Sequence, residues 1–74
     1  MWEKIDIYRY IHTETGAFIN RVRVRDSYVC CLFESQKSFQ SLDGKFIPFK
    51  NLKLAQKAGE KENYKELYFQ SEAA

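Results

Sequence analysis

Seventy-four residues make one small domain, and a chain of that length buries only about 60% of the surface it exposes when unfolded, so its core is compact and its stability modest. Hydrophobic residues make up 45% of the chain and aromatic ones 16%, which argues against an intrinsically disordered protein. Twelve Lys and Arg against ten Asp and Glu leave a net charge of +2, too little to announce a polyanion partner unless the cations cluster.

Met1-Trp2-Glu3-Lys4-Ile5-Asp6 has no apolar run of the signal-peptide kind, and nowhere does the chain offer the roughly 18 uninterrupted apolar residues that a membrane span needs. A cytoplasmic protein is expected. Cys30 and Cys31 are neighbours, and adjacent side chains of a strand point to opposite faces, so they form no disulfide framework and suit a reducing compartment.

The first predicted strand covers residues 4–12, where β-branched and aromatic residues dominate and Ile5, Ile7 and Ile11 share one parity. Thr13-Glu14-Thr15-Gly16 reads as a hairpin loop. The second strand, Phe18-Ile19-Asn20-Arg21-Val22-Arg23-Val24-Arg25, alternates so strictly that only a two-residue period explains it. With His12 opposite Ala17, Ile11 meets Phe18, Arg9 meets Asn20, Ile7 meets Val22 and Ile5 meets Val24. The other face then pairs Tyr10 with Ile19, Tyr8 with Arg21, Asp6 with Arg23 and Lys4 with Arg25. A slip by one residue would destroy that sorting. Asp26-Ser27 closes a second tight turn into Tyr28-Val29-Cys30-Cys31-Leu32-Phe33; with Arg25 opposite Tyr28, Val24 meets Val29 and Val22 meets Cys31.

Beyond Glu34 the pattern weakens. Phe39 and Leu42 stand at helical spacing, and Asp43-Gly44 either ends a helical turn or closes another hairpin. Lys45-Phe46-Ile47-Pro48-Phe49 is strand-like, and Pro48, lacking an amide donor, assigns it to an edge or a strand end. Asn51 is placed to cap a helix that Gly59 ends. Residues 63–69 read as a second helix in preference to a strand, and residues 70–74 as a frayed tail. The expected fold is α+β: a three- to four-stranded antiparallel meander with one or two C-terminal helices, the alternative being a small SH3-like β-barrel. The expected core is Ile5, Ile7, Ile11, Phe18, Val22, Val24, Val29, Cys31 and Phe33, joined by Phe46, Phe49 and Leu52.

Opposite that core the register gathers Lys4, Tyr8, Tyr10, Arg21, Arg23, Arg25 and Tyr28. Flat rings beside guanidinium groups suit the bases and phosphates of single-stranded nucleic acid, and equally an acidic protein surface. Two readings need no ligand. Arginines can lie over tyrosines, at about 0.5–1 kcal/mol per exposed cation–π contact, or a C-terminal helix can cover the face, which Ile19 and Leu32 favour.

Catalysis finds little support. His12 is the only histidine, and Asp6, six residues away in the same strand, would stand about 20 Å off at roughly 3.3 Å per residue. Glu14 is near His12, but no nucleophile or anion-binding loop accompanies them. Gly16, Gly44 and Gly59 are isolated and make no phosphate-binding motif. Cys30 and Cys31 diverge, so no metal site is expected. A small redox protein using Cys30, its thiol activated by Arg23, is a minor alternative. The reading is therefore a non-catalytic binding protein without a cofactor that occupies a macromolecular surface, an inhibitor or adaptor of the kind phages and mobile elements encode. A single-stranded nucleic-acid module is the alternative, and an exposed sheet edge makes a homodimer a further expectation.

Overall fold

A computed structural model describes residues 1–42 and 44–70, and of residues 69 and 70 the backbone alone. Five strands form one antiparallel sheet in chain order: β1 (Trp2–Lys4), β2 (Arg9–His12), β3 (Phe18–Val24), β4 (Ser27–Phe33) and β5 (Phe46–Phe49). Helix α1 (Gln36–Gln40) lies between β4 and β5, and α2 (Leu52–Glu60) and α3 (Glu66–Gln70) follow. This is the α+β meander the sequence predicts, with an added strand. It is an open sheet and no SH3-like barrel, because β1 and β5 stay at opposite edges.

The added strand arises at Asp6. Its Oδ1 accepts the backbone amides of Tyr8 at 2.8 Å and Arg9 at 2.9 Å, and its Oδ2 takes the Arg9 guanidinium. A short carboxylate side chain that captures the amides two and three residues on turns the chain instead of extending it. Residues 4–12 are therefore no single strand. The chain reverses over residues 5–8, and β1 folds onto β2 with Trp2 opposite His12 and Lys4 opposite Tyr10.

Between β2 and β3 the predicted register holds, with Ile11 opposite Phe18, Tyr10 opposite Ile19 and Arg9 opposite Asn20. Its expected continuation, Ile7 on Val22 and Ile5 on Val24, is missing from the ladder; only the Arg21 amide bonds onward, to the Tyr8 carbonyl at 2.6 Å. The β3–β4 hairpin is shifted by two residues from expectation: Val24 faces Ser27, Val22 faces Val29 and Phe18 faces Phe33. Its two loop residues are Arg25 and Asp26, and Arg25 has φ 58°, the positive φ that matches a tight hairpin to the twist of its strands. A shift of two leaves every side chain on its expected face.

What changes is which face the helices take. One face carries Trp2, Tyr10, Ile19, Cys30, Leu32, Ile47 and Phe49, and α2, α3 and the turn between them close over it with Leu52, Ala55, Ala58, Tyr64 and Tyr68. The opposite face, predicted to hold the core, carries a smaller cluster of Phe18, Cys31 and Phe33, flanked by Ile11 and Val29 and covered by Phe39 of α1. Phe39 lies 4.7 Å from the Phe18 ring and 5.2 Å from that of Phe33. Five residues of α1 reach no further, so Ile5, Ile7, Val22, Val24 and Phe46, all expected in the core, are exposed. Phe49 and Leu52 do pack inside, against the larger cluster.

Asn51 caps α2 as expected, its Oδ1 accepting the Leu54 amide at 2.9 Å. Gly59 does not end that helix, which runs to Glu60. Its smallness serves packing: a Cβ there would come 2.9 Å from the Trp2 ring and 3.1 Å from the Ala17 Cβ. The helical reading of the C-terminal segment holds in α3. Tyr64 and Tyr68 stand one turn apart, and the Tyr68 hydroxyl donates to the Leu32 carbonyl at 2.6 Å. The Tyr64 hydroxyl sits 2.7 Å from the Glu34 carbonyl and 3.0 Å from that of Thr15, its one proton serving one acceptor at a time. Burial pushes both phenols above their ordinary titration range. Pro48 lies on an edge strand, as its missing amide requires. The expected tail at 70–74 falls outside the described residues apart from Gln70, which ends α3, and Asp43 lies outside them too. Among the described residues no helix is long and apolar enough to cross a membrane.

Candidate binding surface

Pairing to β2 stops at Asn20 and pairing to β5 stops at Cys30. Past those points β3 and β4 continue as a two-stranded arm, and every residue from 22 to 28 is exposed. Directly paired residues share a face. One face of the arm therefore shows Arg21, Arg23 and Tyr28, and the other shows Val22, Val24 and Val29.

Of the predicted site residues, the structure gathers Arg21, Arg23 and Tyr28, with Tyr8 beside Arg21 through the bond from the Arg21 amide. The Arg21 guanidinium lies 5.0 Å from the centre of the Tyr28 ring, the cation–π arrangement anticipated for this face. Its Nη1 donates to the Ile7 carbonyl at 3.4 Å, while its Nε is buried with no hydrogen-bond partner. Arg23 Nε donates to the Arg25 carbonyl at 3.2 Å, which holds the Arg23 guanidinium at the arm's tip. Among the described residues, Arg21, Arg23 and Arg25 have no carboxylate within ion-pair distance. The expected pairing of Asp6 with Arg23 is not made, because Arg9 takes Asp6 and holds its carboxyl below the usual range.

Lys4 and Tyr10 separate from that group. Tyr10 packs against the helix-covered core, and exposed Lys4 stands opposite it on the edge strand. The sequence left helix cover of this face as an open reading, and at Tyr10, Ile19 and Leu32 that reading holds. Cys30 is 2% exposed and lies under the helices; burial pushes its thiol up, with nearby Arg21 pulling weakly the other way. A buried thiol held in its protonated form is a poor nucleophile.

His12 ends β2 and is 7% exposed. Its Nδ1 accepts the amides of Glu14 at 3.2 Å and Thr15 at 3.1 Å, and the Trp2 ring meets it edge-on at 5.0 Å. The ring thus shapes the β2–β3 loop. Between the end of α2 and α3, Ala58, Lys61, Asn63, Tyr64, Glu66 and Leu67 line an open cavity of about 170 Å³. Sequence reasoning missed the valine side of the arm because its alternation is the same whether that face is buried or bare.

Comparison with protein-family models, with curated proteins and with solved structures finds no match for the chain.

Proposed function

We propose that this is a non-catalytic binding protein, an inhibitor or adaptor that works by seating the β3–β4 arm against a partner protein. The supporting observation is that, among the described residues, the arm is exposed from 22 to 28, with Val22 at 40% and Val24 at 48% exposure and with arginines that lack carboxylate partners there. Exposed apolar side chains rimmed by fixed charge are the composition of a protein-binding patch. Two free, buried thiols suit a cytoplasmic setting. The nucleic-acid reading draws on the same arm, through Arg21 over Tyr28, but gives the valines no role.

Chemical cross-linking in a cell lysate tests the proposal. The wild-type chain is expected to capture one stoichiometric partner that Val24→Ser and Arg23→Glu both lose and that Lys53→Glu, on exposed α2 surface, retains. Capture that survives both arm variants would contradict it. So would co-purifying nucleic acid whose binding falls steeply between about 50 and 200 mM salt.

A further inference from the structure

Resting on that reading, we propose that the open outer edge of β3 at Val22, Arg23 and Val24 receives an extended segment of the partner in which acidic and apolar side chains alternate. The Arg21 amide points away from β4 and is taken by the Tyr8 carbonyl. Arg23 has the same parity, so its N–H and C=O face the edge that β2 has already left. A strand added there completes the ladder, the mode by which extended peptides join exposed sheet edges.

The two faces of the arm dictate what such a strand carries. The residue opposite Arg23 shares its face, so an acidic side chain there meets a guanidinium group without a carboxylate partner among the described residues. Tyr8 already occupies the edge at Arg21, and Arg25 lies in the hairpin loop, so the added strand is short and its one acidic position is the residue opposite Arg23. The residues flanking it fall on the other face, against Val22 and Val24, and cover them if apolar. A single apolar–acidic–apolar segment thereby accounts for the open edge, for Arg23 unpaired among the described residues, and for the exposed valines together. A second copy of this chain does not: pairing the same edges antiparallel places both sets of arginines on one face, and like charges directly opposite destabilise a ladder. Nucleic acid takes the arginines and leaves the valines bare.

The test is an NMR titration of the isotope-labelled full chain with three probes: a peptide alternating glutamate and valine, the same peptide with lysine for glutamate, and oligothymidylate. The acidic peptide is expected to shift the amides of Val22, Arg23 and Val24, and Arg23→Glu to weaken it about tenfold. Equal binding of the lysine peptide, tighter binding of the oligonucleotide, shifts confined to other elements, or self-association at this edge without any probe would each overturn the proposal. A chain that ignores the acidic peptide, yet in a lysate captures a partner through Val24, overturns this docking mode and leaves the protein-binding reading standing.

Discussion

Arg25 holds a backbone conformation, φ 58°, that L side chains other than Asn and Asp rarely adopt and that costs roughly 1–2 kcal/mol. Nothing in its contacts requires the side chain for folding: its carbonyl, not its guanidinium, accepts from Arg23. Arg25→Gly is therefore expected to stabilise the protein by about 0.5–1 kcal/mol, a rise of several degrees in Tm for a domain of this size, as thermal unfolding would register. A fall in Tm would show that the turn is not strained. The same residue illustrates what the sequence withheld. Arg25-Asp26 and Asp26-Ser27 are both acceptable two-residue turns by composition, and the valine alternation is blind to a shift of two. Asp6 differs. An aspartate within a β-branched run is a visible turn signal, and it was outweighed by the isoleucines around it.

At the scale of elements, α2 is held onto the sheet by shape. Ala55 and Gly59 are buried, and Gly59 lets the helix approach Trp2 and Ala17 closer than any side chain would allow. Trp2 is fixed in turn, its Nε1 donating to Glu60 at 3.0 Å. Gly59→Ala gains helix propensity of about 1 kcal/mol but overpacks this contact at about 1–3 kcal/mol. The expected net result is a loss of stability in urea titration, partly restored by Trp2→Phe, whose smaller ring makes room. The existence and type of α2, its Asn51 cap and the edge position of Pro48 were legible because each rests on local chemistry. The role of Gly59 was not, since a glycine at a helix end reads as a stop and the approaching surfaces come from the far end of the chain.

For the whole molecule, the decisive question is which sheet face the helices cover. Period-two alternation sorts side chains into two sets, and this chain makes both sets apolar near the β2–β3 loop: Ile19 and Leu32 on one side, Phe18 and Phe33 on the other. The larger helix pair takes the first set, and α1, a single short turn and a half, shields part of the second. Valines beyond its reach are left bare. That outcome depends on helix lengths and loop reach rather than on strand pattern, so the two candidate faces could be written down from sequence while the choice between them could not. The candidate site inherited the same limit: Arg21, Arg23 and Tyr28 were identified, whereas the valine side that gives the arm its second character was assigned to the core.

A comparison of Leu32→Ala with Val22→Ala by equilibrium denaturation decides which sheet face the helices cover. Leu32 is fully buried beneath the helices and Val22 stands 40% exposed on the arm. Leu32→Ala should cost about 2–5 kcal/mol, the range for emptying a core site, and Val22→Ala under about 1 kcal/mol, as for a site largely in water. A Val22→Ala loss as large as that of Leu32→Ala would place the helices over the valines and contradict the arrangement from which the binding surface is drawn.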